Sequence, residues 1–402
     1  MPQQGTKRTA AILGRGEAGL AIAIMVVVGL TIALDPLRSY VVDPSTNAVE
    51  IVRQTAMLGI FALGTTVVII SGGIDLSVGS MIAFSGTICA SLLLWLAPDE
   101  LQNDEPVGIA VIAAAIAGTL LAGFLVGSLH AWLITVIGLP PFIATLATLV
   151  GLRSLSRALV EGVTTAVIGG TKAQIEIRDE QFRYLATSVW IPVVVFLALA
   201  VFTWLLMSRT VVGRHLYALG GNEAATRLSG IRADGLKWLA YALGSMFASI
   251  AGILYVGELS VAAPQTLGRG YELNAIAAAV VGGCSLQGGA GTVPGTILGC
   301  LFLRVVIDGI AKIIKTGADV YEGLIVGVVV VLAVAVGQVR QSRGRRAKFF
   351  SGALGTVTIA NLALLAAALG ALLAGRNTAT VVGVAVLLTC SAIALVERKR
   401  GN

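Results

Sequence analysis

Charge is what this 402-residue chain has least of. Asp, Glu, Lys and Arg supply 12% of it, roughly half the share of about 25% in a soluble globular domain. A well-solvated soluble fold is thereby excluded. Histidine is nearly missing too: His130 and His215 lie far apart, so neither a histidine-built metal site nor a nucleophile–histidine pair is expected. The four cysteines, Cys89, Cys284, Cys300 and Cys390, fall inside apolar runs without metal-ligand spacing and read as small core residues. No Gly-x-x-x-x-Gly-Lys-Ser/Thr loop occurs, so the chain does not hydrolyse ATP by that route. Residues Gly14, Gly16 and Gly19 have the spacing of a dinucleotide-binding turn, but no strand precedes them and an apolar run follows. Carboxylates in apolar runs are limited to Asp75, Glu258 and Asp308, and a proton-driven transporter usually needs a longer relay. No convergent acid–base or nucleophile set is visible, which argues against a membrane enzyme. No metal or cofactor is expected.

What the chain has is apolar sequence. Hydrophobic residues make up 56%, in runs near the length of a bilayer crossing. The reading is an all-α, polytopic integral membrane protein with about ten core transmembrane segments, one of them a glycine-broken half-helix, plus an extra C-terminal transmembrane hairpin. Spans are expected at about residues 18–34, 55–70, 76–97, 107–129, 140–160, 189–207 and 238–258. A half-helix at about 275–281, spans at about 292–311 and 321–337, and a hairpin at about 351–374 and 380–396 complete the set. The first run follows Lys7, Arg8 and Arg15 and is expected to remain as a span rather than serve as a cleaved signal. Residues 1–337 form one domain; 338–402 form a basic linker and the hairpin.

The net charge of +7 is no nucleic-acid signature, because the basic residues occupy short loops. With both termini inside, about sixteen of the 28 Lys and Arg fall on the cytoplasmic side, as the positive-inside pattern requires. Anionic lipid headgroups suit the same residues. Arg153, Arg157 and Glu161 share one helical face near the outer end, either snorkelling to headgroups or forming a polar stripe. Gly123 and Gly127 form a small-residue face, and Gly291, Gly295 and Gly299 a longer one, both suited to close helix packing.

Three stretches stand out. Gly72 and Gly73 break the backbone between two apolar runs. Asp75, followed by Ser77, is the one charge between residues 54 and 97. It either caps the next helix, or lines a pathway, or does both. Gly282, Gly283 and Ser285 begin a second glycine-rich break, after the apolar piece that follows Asn274. Interrupted segments at matching places in two halves point to a substrate path. The third stretch is the long basic loop, where Asn222 suits an N-cap, Glu223 the positive helix end and Gly230 the C-terminus. A rigid helix of about seven residues outside the bilayer is a shape that a motor subunit could push.

These stretches, with Pro141-Phe-Ile-Ala-Thr-Leu as a lesser match, resemble the permease subunit of ribose/xylose-type sugar ABC importers over about residues 51–337. The resemblance implies a pore of two permease chains (a homodimer or a pair with a sister chain) in the bacterial cytoplasmic membrane. ABC ATPase subunits would drive it and an extracytoplasmic sugar-binding protein would feed it. It implies translocation roles for Gly72, Gly73, Asp75, Ser77, Asn274, Gly282, Gly283 and Ser285. It implies coupling to the ATPase through Asn222, Glu223, Arg227, Leu228, Gly230 and Ile231. Asn274 stands where the family usually has Asp, and Cys284 where Thr is common. The rival to an ATP-driven permease is a secondary transporter or channel working without an ATPase.

Overall fold

A computed structural model describes residues 15–313, 323–324, 326–329, 331, 352–374 and 376–399. The expected basic cluster after Gln338 and most of the span at 321–337 lie outside the described residues. The chain divides into two compact units, Met1–Val334 and Ala335–Asn402.

Unit one is helical. It contains α1 (Arg15–Leu34), α2 (Ser39–Val42), α3 (Pro44–Ile70), α4 (Val78–Leu96) and α5 (Pro98–Gln102). Then come α6 (Ile109–Thr135), α7 (Pro141–Ile168), α8 (Glu180–Thr187) and α9 (Trp190–Arg209). The remainder is α10 (Val211–Gly221), α11 (Glu223–Leu228), α12 (Ala233–Leu259), α13 (Tyr271–Val281) and α14 (Val293–Ile313). Seven of these, α1, α3, α4, α6, α7, α9 and α12, are long and apolar enough to cross a membrane. At 27 residues, α3 is about 40 Å long, more than the hydrocarbon core. At 11 residues, α13 is about 16 Å, a half-crossing. It starts four residues before the expected piece. The 21-residue α14 carries Arg304, Asp308 and Lys312, and the Tyr40 hydroxyl donates to Asp308 Oδ2 at 2.6 Å.

The helices sort into an inner and an outer set. Of the apolar windows of α3, α4 and α12, 89%, 83% and 78% are buried, against 6% in α1 and 22%, 28% and 28% in α6, α7 and α9. The inner set is apolar on every side because each helix is surrounded by others. Helix α12 packs against α3, α4 and α6. Small residues make that possible. A Cβ on Gly123 would overlap Ser249, and one on Gly127 would sit 2.6 Å from the Ala242 Cα. The expected face on α6 is therefore the face that meets α12.

The loop at 162–188 holds more than a connection. Helix α7 runs on to Ile168, β1 (Ile175–Glu176) pairs antiparallel with β2 (Val261–Ala262), and Asp179 caps α8 through Phe182 N at 2.7 Å. Arg153 is neither snorkelling nor a free stripe: its guanidinium donates to the Pro264 carbonyl at 2.8 Å and the Leu267 carbonyl at 3.2 Å. Arg157 pairs with Glu161 at 2.7 Å on the exposed face.

Unit two holds α15 (Gly352–Ala374) and α16 (Arg376–Lys399). They pack against each other, with Gly383 seated on Ala367 and the Ala363 carbonyl.

Candidate functional site: two broken helices and a short capped helix

The first break starts where α3 stops. Ser71 Oγ donates to the Val68 carbonyl at 2.7 Å, and Gly72 takes φ +84°, a left-handed turn that a side chain would strain. Asp75 is 1% exposed. Its Oδ1 accepts from Ser77 N at 2.8 Å and from Ser77 Oγ at 2.6 Å, and the Ser77 carbonyl accepts the early α4 bond from Met81 N at 2.7 Å. The carboxylate thus holds the turn that launches α4. Thr145 Oγ1 receives Leu76 N at 3.2 Å and donates to the Ile74 carbonyl at 3.3 Å, so α7 braces the same loop. From α12, the Tyr241 hydroxyl donates to the Ile74 carbonyl at 3.4 Å.

The second break follows α13. Gly282 ends the helix, and Gly283 takes φ +98°. Ser285 N donates to the Ala290 carbonyl at 2.9 Å, and Gly288 N returns to the Ser285 carbonyl at 2.9 Å, closing a tight loop. Thr292 then caps α14 by accepting from Gly295 N at 3.0 Å. The strip on α14 is used in part: Gly295 lies against the Gly282 carbonyl and Gly299 against the Ala278 carbonyl, while Gly291 meets Cys284 instead. Asn274 sits in the first turn of α13, about 12 Å along the helix from Gly282. The structure does not gather it with the other break residues.

The third element is α10, a turn, and α11. Asn222 Oδ1 accepts from Ala225 N at 2.9 Å, so it is the N-cap that the sequence implies, and Gly230 takes φ +79° just past the end. Glu223 Oε1 accepts from Lys237 Nζ at 2.7 Å and from Arg227 Nη2 at 3.0 Å. Arg227 also reaches Asp234 Oδ1 at 2.5 Å. Burial alone would raise the Glu223 carboxyl, but the Lys237 and Arg227 bonds outweigh it and hold the group below the usual carboxylate range. Leu228 is 90% exposed, an apolar knob at the tip of α11. Ile231 packs back against the core.

These three elements meet at one point. Gly289 N donates to the Ile70 carbonyl at 2.9 Å, joining the second break to the end of α3. Gly220, next to the last residue of α10, rests against both: a Cβ there would overlap the Ile70 carbonyl and lie 2.5 Å from Gly289 N. The Tyr217 hydroxyl, on the same helix, donates to the Gly291 carbonyl at 2.8 Å. No motif in the sequence marks a role for Tyr217, Gly220, Lys237, Tyr241 or Gly289. The pair Gly220-Gly221 inside a basic loop was the available signal.

Comparison with known proteins agrees with this architecture. The chain is 37% identical to the ribose import permease protein RbsC of Escherichia coli (strain K12) over 332 residues, 80% of this chain and 93% of that one. Against the RbsC of Bacillus subtilis (strain 168) it is 32% identical over 305 residues, 76% of this chain and 88% of the relative. It is 29% identical to the galactose/methyl galactoside import permease protein MglC of Escherichia coli (strain K12), covering 81% and 95%. No solved structure matches. Residues 47–335, from the start of α3 past the end of α14, match the family described as branched-chain amino acid transport system / permease component, and the chain belongs to that family of membrane permeases.

Proposed function

We propose that this chain is the membrane-spanning permease of an ABC importer that carries a monosaccharide or related small polyol across the bacterial cytoplasmic membrane. A separate ATPase subunit supplies the energy, an extracytoplasmic sugar-binding protein delivers the substrate, and a second permease chain completes the pore. Both termini lie inside. Residues 1–337 carry this activity.

The observation that carries the reading is the meeting of Ile70, Gly220 and Gly289. A push on α11 travels through the Asn222 cap into α10. At Gly220 it reaches the ends of both broken helices together. Glu223 and Lys237 pin α11 to α12, so the short helix transmits force instead of swinging freely. The path needs few charges, because a neutral sugar is met by backbone carbonyls, hydroxyls and amides. Asp75 and Ser77 keep the first break in shape; Gly282, Gly283 and Ser285 do so for the second, and Asn274 lines the outer end. The names of the relatives, ribose and galactose permeases, favour a sugar over an amino acid.

Reconstitution tests this. Proteoliposomes holding the chain, its ATPase and its binding protein are expected to take up ribose or galactose only with ATP. Glu223→Lys or Gly230→Val is expected to leave ATP hydrolysis running while uptake falls at least tenfold. Uptake by the chain alone would instead establish a secondary transporter or channel.

A further inference from the structure

A cavity of about 300 Å³ opens between the first break, the end of α10, the start of α12 and the second break. That is room for about ten waters at ~30 Å³ each, and it lies at the small end of the range for ligand pockets, about 300–1,000 Å³. We propose that it is a binding site for one neutral polyhydroxylated solute, the station from which the sugar leaves the permease. The inference rests on the importer reading above.

The chemistry of the walls selects the class. Glu223 and Lys237 both line the cavity and bond to each other at 2.7 Å. Their charges cancel, so an anion finds no surplus cation, and a zwitterion would have to split the pair. Asn222 and Gln287 both line the cavity and bring amides to it. The side-chain Oδ1 of Asn222 accepts from Ala225 N, which leaves its NH₂ to donate. Pro141 and Leu219 give apolar surface, suited to the C–H face of a sugar ring. Donors and acceptors together beside a small apolar face, without net charge, match hydroxyls better than carboxylate, phosphate or ammonium. A solute hydroxyl that draws on Lys237 also loosens its hold on Glu223, so occupancy is felt at α11.

The test uses the full complex in inside-out vesicles. Gln287 is exposed, and Gln287→Cys is labelled with a membrane-impermeant maleimide, over the background of the wild-type chain. The sugar that the wild-type complex imports, ribose or galactose, is expected to slow labelling at least threefold, and leucine is expected to leave it unchanged. Gly221 lines the cavity, and a Cβ there meets no atom within 4 Å, so Gly221→Leu fills the space and is expected to abolish the slowing. Pro141→Cys is the second reporter if the first variant fails to reach the membrane. No slowing by an imported sugar, or equal slowing by leucine, overturns the cavity assignment while the importer reading stands. Failure of the wild-type complex to import either sugar overturns the importer reading and the cavity with it.

Discussion

Gly220 lies so close to the Ile70 carbonyl that no side chain fits between them. The next residue is its opposite: a Cβ on Gly221 meets no atom within 4 Å. Gly220→Ala is expected to force the two breaks apart at about 1–3 kcal/mol and to lower ATP-driven uptake at least tenfold. Gly221→Ala is expected to lower uptake far less than Gly220→Ala and to stabilise slightly, because alanine favours the last turn of α10. Thermal unfolding in detergent, together with vesicle uptake, separates the pair. Equal effects at both positions would remove the special status of the crossing.

Tyr217 reaches across to the second break through its hydroxyl. Tyr217→Phe keeps the ring and leaves the Gly291 carbonyl without that donor, at a cost of about 1 kcal/mol. Uptake is expected to fall severalfold with no change in the amount of chain in the membrane. An unchanged uptake rate would show that α10 and the second break move independently.

The Glu223 pairs predict a pH window. A carboxyl whose folded pKa lies below its ordinary value, about 4.3, contributes stability that is present above the ordinary value. That stability is lost as pH falls through the lowered one. The amide protection factors over residues 223–231, which are exchange rates divided by the intrinsic rate at each pH, are therefore expected to be flat from pH 8 to pH 5 and to fall in more acid solution. Glu223→Gln is expected to show the low protection throughout. The pairs are partly exposed, so the gain is about 0–1 kcal/mol and weakens with salt. Protection that is lost already near pH 6 would point to a different group.

Arg153 holds the loop before α13 by two carbonyls at once. Both bonds leave the one nitrogen Nη1, at the end of a side chain one atom longer than that of lysine. Arg153→Lys is expected to lower the unfolding temperature by a few degrees, and Arg153→Ala by more. Identical melting of all three proteins would mean that the loop before α13 is held elsewhere.

The family match ends at residue 335. A chain cut after Gly337 is expected to insert and, with its partners, to transport within twofold of the full protein. A collapse of uptake would give α15 and α16 a direct part in the pore.

Much of this architecture was legible because membrane helices announce themselves by run length. The break at Gly72, the half-helix before Gly282 and the cap at Asn222 depend on local chemistry, and local chemistry is written in neighbouring residues. Elements that depend on distant partners were not legible. The two-residue strands β1 and β2 have too little sequence for a period and exist because residues 175 and 262 meet in space. Thr210 caps α10 through Gly213 N at 3.0 Å, but the surrounding basic residues make the segment read as loop. The role of Gly220 follows from three segments crossing at once, which no single stretch encodes.

The division into an inner trio and an outer ring has a consequence for the lipid. The apolar faces of α1, α6, α7 and α9 are open to lipid or to a second chain, whereas α3, α4 and α12 are covered within this chain. A bilayer that thins or thickens is therefore expected to act first on the tilt of the outer helices, and to reach the end of α3 at the crossing only through them.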